Sequence, residues 1–230
     1  MWKHGLGRRQ RRTVLSAFDR RVVPEPVLGL VRALQRRATS HLAGGAALGG
    51  LYLSHRLSAD VDLFFHDAEF VRSMVRELPD VARECTGEIR VVRDAGSFVR
   101  ATVSLPGHAL ELDLVHEALP DIESPPPPVE GIVVESFADL RAAKLTCLLS
   151  RAEPRDLVDV MFLDRAGYSP EADLTLALKK DAGIDPGVLA WLLRDFPTSP
   201  LPRMLVALSK DEITRFRDDL AERFRRVAVP

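Results

Sequence analysis

The chain has 230 residues, 46% hydrophobic and 28% charged, which excludes a disordered or fibrous class and allows a real core without covalent staples. Two cysteines, Cys85 and Cys147, with no Cys-x-x-Cys exclude a disulfide framework; no apolar run has membrane-spanning length and no secretory signal is legible, so no membrane and a cytoplasmic location are expected. The formal net charge of −1 hides an asymmetry: residues 1–37 carry ten Lys/Arg against Asp19 and Glu25, a net of +8 that leaves −9 for the rest, so a polyanionic partner is expected near the N-terminus.

Residues 1–12 read as a loose basic arm. Val14, Leu15, Phe18 and Val22 fit one face of a short helix, broken by Pro24 and Pro26. Val27, Leu28, Leu30, Val31 and Leu34 follow helical spacing and leave Arg32, Arg36 and Arg37 to solvent. Thr39–Ala43 is a strand candidate running into Gly44-Gly45. Residues 46–54 read as a helix of small and apolar residues, weakened by Gly49-Gly50. Asp60–Phe65 is a strand candidate, and residues 67–79 a helix ended by Pro79. Three strands follow at 89–93, 97–105 and 109–115, with Pro106-Gly107 turning the last two. Four prolines at 125–128 fit neither helix nor inner strand and read as a stiff spacer. Beyond it come a short strand at 132–134 and helices at 137–150, 155–165, 170–182, 186–195 and 210–226. Ser136 with Asp139, and Ser209 with Glu212, are candidate helix starts.

The chemistry concentrates around Asp60. Residues two apart in a strand point the same way, so Asp60 and Asp62 share one face. Aspartate is disfavoured in strands, and two adjacent carboxylates need a counter-charge. All-oxygen ligands suit Mg²⁺ or Mn²⁺. The plain alternative is a solvated strand end. Residues 110–115 alternate strictly and put Glu111 and Asp113 on one face. If this strand lies beside 60–65, three carboxylates converge, the arrangement that holds two metal ions on a triphosphate. Gly44-Gly45 between strand and helix lets backbone N–H groups approach an anion, although a tight turn explains the pair equally well. Lys144 and Arg151 lie seven apart, on one helix face, within reach of a triphosphate. Arg155 and Asp159, at i and i+4, fit a mutual pair that holds the helix to the core. Arg56 fits a phosphate clamp or a fastener of the loop before the aspartates, and His55 a structural hydrogen bond or a ligand.

Together these residues carry a resemblance. Gly44-Gly45, a helix, His55-Arg56-x-Ser58-x-Asp60-x-Asp62-Leu63-Phe64 and then Asp113 resemble the nucleotidyltransferase fold of the DNA polymerase β superfamily. Lys144 with Arg151-x-x-x-Arg155-Asp156-x-x-Asp159 is similar to the helical signature of one branch, the AbiEii/AbiGii toxin-like family of type IV toxin–antitoxin and abortive-infection systems. The two blocks span residues 40–165.

The resemblance implies an α+β fold: a mixed-sheet core with flanking helices, then a helical C-terminal lobe. The expected division is 1–37 for the basic arm and helices, 38–123 for the core, 124–130 for the spacer and 131–230 for the lobe. It implies transfer of a nucleoside monophosphate from an NTP to an acceptor hydroxyl, RNA and in particular tRNA leading, with a cognate antitoxin as partner. Asp60 and Asp62 would bind both metals, Mg²⁺ or Mn²⁺. Asp113 would ligate the catalytic metal and help activate the nucleophile. Ser58 and the Gly44 and Gly45 amides would touch the triphosphate, with Arg56, Lys144 and Arg151 as further contacts. Arg8, Arg9, Arg11, Arg12, Arg20 and Arg21 are the expected contacts to acceptor phosphates, with a solubilising tail as the plain alternative. The alternative is a non-catalytic nucleotide- or RNA-binding protein on the same fold.

Overall fold

The computed structural model describes residues 17–228. Its centre is a five-stranded mixed sheet in the order β1-β2-β5-β4-β3, formed by β1 (His41–Ala43), β2 (Asp60–Phe65), β3 (Glu88–Asp94), β4 (Phe98–Leu105) and β5 (His108–His116). β2 and β5 run parallel, and the other neighbours are antiparallel. A parallel pair needs a long crossover, supplied here by α3 (Ala68–Glu84) and the β3–β4 hairpin. Val134 bridges to Leu42 beside β1 and Ile132 to Val129, so the expected strand at 132–134 is two isolated bridges.

One face of the sheet is apolar. Val61, Leu63, Phe65, Leu112 and Leu114 pack there with α3 and with α1 (Glu25–Gln35), whose Leu28, Leu30, Val31 and Leu34 are fully buried. Each such side chain stabilises by about 1.5–3 kcal/mol, which makes α1 part of the core although it opens the described chain. A second apolar cluster joins α4 (Phe137–Ser150), α5 (Pro154–Arg165), α6 (Pro170–Lys180), α7 (Pro186–Leu193) and α8 (Lys210–Ala228). Ser136 caps α4 through the Asp139 amide, and Ser209 and Glu212 close the reciprocal box before α8. Among the described residues no helix is long and apolar enough to cross a membrane.

Three expectations change. Pro79 lies inside α3 and does not end it, because the buried stripe Val71, Met74, Leu78, Val81 continues past it and anchors the last turn to the sheet. Residues 18–23 form a turn rather than a helix, with the Val22 and Val23 amides both donating to the Asp19 carbonyl. Residues 1–12, Val14 and Leu15 lie outside the described residues. The helix after β1, α2 (Gly44–Ala47), continues as a π-helical stretch over Leu48–Leu53. Its Gly50 is needed for close approach: an added Cβ would stand 2.7 Å from Val23 Cγ2, and the Gly50 carbonyl accepts from the Asp19 amide at 2.8 Å.

Candidate active site

Asp62 lies directly opposite Asp113 across the parallel β2–β5 pair, and Asp60 opposite Glu111. Because Val61, Leu63, Leu112 and Leu114 take the core face, the carboxylates share the other one. α4 and α5 bring cations to that face. A narrow polar cleft is lined by Gly45, Arg56, Ser58, Asp60, Asp62, Arg100, Asp113, Lys144, Arg151 and Arg155. Eight of the residues expected from sequence therefore meet in one place. The ninth, Gly44, adjoins Asp62: a Cβ at Gly44 would stand 1.9 Å from Asp62 Oδ2, and its φ of +62° is a left-handed value suited to glycine. Glu111 points to the same side and reaches Arg100 at 3.4 Å.

Two cations in the cleft were not anticipated. Arg100 on β4 grips Asp113 with two parallel bonds, Nε to Oδ1 at 2.8 Å and NH2 to Oδ2 at 2.7 Å. Counting back along the hairpin from Pro106-Gly107 puts Arg100 opposite Asp113, so the signal was present. Arg155 pairs with Asp60 and with Glu153, not with Asp159. Asp62 alone of the three has no guanidinium partner among the described residues. Burial, and then the charges of Asp113 and Asp60 against the opposing Lys144, push its pKa up.

Behind the cleft lies a buried ionic hub on α5. Asp159 is fully enclosed and accepts from His55 Nε2, Arg56 Nε and Arg56 NH2, each at 2.7 Å, with Lys144 Nζ at 2.8 Å. Asp156, equally enclosed, takes Lys144 at 3.1 Å and Arg151 at 2.8 and 2.9 Å. Burial opposes ionisation of Asp159, but Arg56 and Lys144 outweigh it and hold its carboxyl well below the usual range. Burial lowers the pKa of His55, so the ring is neutral and donates through Nε2, a structural role. Arg56 also donates from NH1 to the Leu57 carbonyl at 2.9 Å, which fastens the loop before β2. The segment 203–205 pairs with the same loop through Leu57 N–Arg203 O and Leu205 N–His55 O.

The donor set fits divalent cations: three carboxylates on one face, oxygen atoms only, one of them desolvated and without a fixed counter-charge. Because the three carboxylates repel one another, Asp62→Asn should leave the melting temperature of the metal-free protein unchanged or raise it, since one half-buried like charge disappears and shape is kept. Stabilisation by Mg²⁺ with NTP, which acts by binding only the folded state, should be largely lost in that variant. Differential scanning fluorimetry reads both, and a full ligand shift in Asp62→Asn would remove Asp62 from the site.

Residues 32–228 match the family described as nucleotidyl transferase AbiEii toxin, type IV TA system. Among solved structures, a putative nucleotidyltransferase from Helicobacter pylori is similar at 21% identity and a TM-score of 0.54, covering 89% of this chain and 93% of its own. JHP933 from the same organism gives 20% and 0.53, with 90% and 91% covered. MenT4, a nucleotidyltransferase toxin of Mycobacterium tuberculosis, gives 17% and 0.50, with 90% and 88% covered. No curated protein matches. The family match spans most of the chain and includes the carboxylates, the cleft cations and the α5 hub, so this chain belongs to the AbiEii nucleotidyltransferase toxins of type IV toxin–antitoxin systems.

Proposed function

We propose that the protein moves a nucleoside monophosphate from an NTP to an acceptor hydroxyl on RNA, with tRNA the leading acceptor, and that a cognate antitoxin restrains it. The observation that carries this reading is the pairing of Asp62 with Asp113 across β2–β5, with Asp60 on the same face. Asp60, Asp62 and Asp113 would hold Mg²⁺ or Mn²⁺, which when bound supplies charge stabilisation at the transferring phosphoryl group. The chain's own residues do the rest. Five cations line the cleft, and its three carboxylates together with Asp156 and Asp159 balance them, so bound divalent cations would supply the positive excess that a polyanion needs. Lys144 and Arg151 are oriented by Asp156 and Asp159, so their positions are fixed before a triphosphate arrives. Arg100 and Arg155 neutralise Asp113 and Asp60 in the metal-free protein and, once displaced, remain within the same cleft as donors to phosphate oxygens. Gly44 and Gly45 open α2, and Ser58 Oγ lies 2.8 Å from the position of a Cβ on Gly45, so small residues leave backbone N–H groups room at a helix start. Asp113, once released from Arg100, would help activate the acceptor hydroxyl by taking its proton.

The basic arm is the proposed grip on the acceptor backbone. Of its named arginines, Arg20 pairs with Glu130 and Glu25, and Arg21 with Asp19; Arg8, Arg9, Arg11 and Arg12 lie outside the described residues.

The deciding experiment incubates the protein with each α-labelled NTP, Mg²⁺ and total tRNA. Label on RNA that depends on Mg²⁺ supports the proposal, and label on protein or on no acceptor overturns the RNA part. Lys144→Ala should reduce turnover at least roughly tenfold, because a charge-assisted phosphate contact contributes about 1.5–3 kcal/mol. Lys144 also sits in the buried hub, so the thermal midpoint is measured alongside; unchanged kinetics in folded Lys144→Ala would confine the lysine to the fold.

A further inference from the structure

A second cluster of metal-ligand type lies at the far end of the same sheet. His41 opens β1, His66 follows the last residue of β2, and Asp121 comes from the loop after β5. His41 pairs in register with Phe64, so both histidines stand on the carboxylate face, where Phe64 lies between His66 and Asp62. At ~3.3 Å per residue, His66 is roughly 20 Å along the strand from Asp60. One nitrogen from each ring and one Asp121 oxygen all lie within 4.8 Å of one another. Asp121 Oδ1 is 3.0 Å from His66 Nε2 and 3.8 Å from His41 Nδ1.

The hydrogen bonding around His66 is the telling detail. Its Nδ1 stands 3.1 Å from the Glu117 carbonyl and its Nε2 3.0 Å from the Asp121 carboxylate. A neutral imidazole has one N–H and can serve only one of these two acceptors. Donation from Nδ1 to a backbone carbonyl leaves the Nε2 lone pair aimed at an anionic oxygen, which is the usual orientation of a metal-ligating histidine. The Glu117 carbonyl is itself fixed, because the Glu117 amide donates to Phe65 at 2.8 Å.

We propose that His41, His66 and Asp121 form a Zn²⁺ site, separate from the catalytic carboxylates, that ties the loop after β5 to the ends of β1 and β2. Two imidazoles and a carboxylate suit Zn²⁺ rather than Mg²⁺, and three protein ligands leave a fourth position for water on the side where His66 is exposed. The surroundings favour a cation. Glu117 and Asp139 flank one lysine, Lys180, whose Nζ is 3.8 and 2.8 Å from them, and Asp121 adds a further negative charge. The site anchors more than one turn of chain, since Asp121 is followed by Ile122 and Glu123, whose amides donate to Asp139 at the start of α4.

The test uses the full chain, stripped with chelator and then given Zn²⁺ alone or Mg²⁺ alone. The wild type should retain about one Zn²⁺ per chain after gel filtration and melt at a higher temperature with Zn²⁺ but not with Mg²⁺. Co²⁺ in its place should show the visible bands of a four-coordinate ion. Asp62→Asn should retain the same Zn²⁺ stoichiometry. His66→Gln and Asp121→Asn, both at partly exposed positions, should fold and bind Zn²⁺ at least roughly tenfold more weakly. Unchanged Zn²⁺ affinity in those two variants overturns the site, and loss of Zn²⁺ in Asp62→Asn would move the ion to the catalytic carboxylates and overturn it equally.

Discussion

Alanine at Asp60, Asp62 or Asp113 is expected to abolish nucleotidyl transfer, each by on the order of 10³-fold or more, while the protein stays folded. Groups that stabilise charge as one unit fail together, so a single loss removes most of the effect. The structure also says why folding should survive. The Asp60 side chain is about one-fifth exposed, and losing it frees Arg155, which keeps Glu153. Losing Asp113 frees Arg100, which is 41% exposed and retains Glu111. Among the described residues Asp62 has no guanidinium to release, and its removal relieves repulsion. The three variants should therefore melt near the wild type and yet be inactive. Near-normal activity in any two would remove the metal-site reading. A cooperative loss of fold in all three would show that the carboxylates serve the structure.

Much of the site was legible because its residues follow a period of two. Asp60/Asp62 and Glu111/Asp113 declare their faces by alternation with apolar neighbours, and the hairpin turn fixes Arg100 opposite Asp113. What alternation cannot give is which strand lies beside which. The β2–β5 neighbourhood is parallel, with α3 and a hairpin between the partners, and only the resemblance supplied it. Helix spacing misled at Arg155 for a related reason. Asp159 is the right distance away on an ideal helix, but it faces the interior, where two cations, Arg56 and Lys144, and the neutral His55 ring, from β2's approach loop and α4, compete for it. His41, His66 and Asp121 are far apart in sequence and share no motif; sheet topology alone joins them. Pro79 was read by its local preference, and the apolar stripe on both sides of it prevailed.

The largest loss of stability should follow Asp159→Ala. Removing one partner of a buried ionic group costs about 3–5 kcal/mol, because the cations left behind are desolvated without compensation. Here Arg56 and Lys144 would both be left, and each is nearly inaccessible, with side chains 4% exposed. Asp156 could still hold Lys144, but among the described residues no second carboxylate bonds Arg56. Domains of this size are stable by only about 5–15 kcal/mol, so Asp159→Ala should be marginal at 37 °C, with a much lower urea midpoint. The same residue should shape the acid limb. Its folded-state pKa lies below the unfolded value of roughly 3.9, so its contribution is complete above that pH and is lost as pH falls through the folded value. Asp156 adds to the same limb: burial opposes its ionisation, but Lys144 and Arg151 prevail and lower its pKa. Melting temperature against pH should thus drop steeply below about pH 4 in the wild type. In Asp159→Asn it should start lower at neutral pH and fall less on acidification. Parallel acid limbs in the two proteins, or a urea midpoint for Asp159→Ala within error of the wild type, would show that the hub is not what holds α5 to the loop before β2.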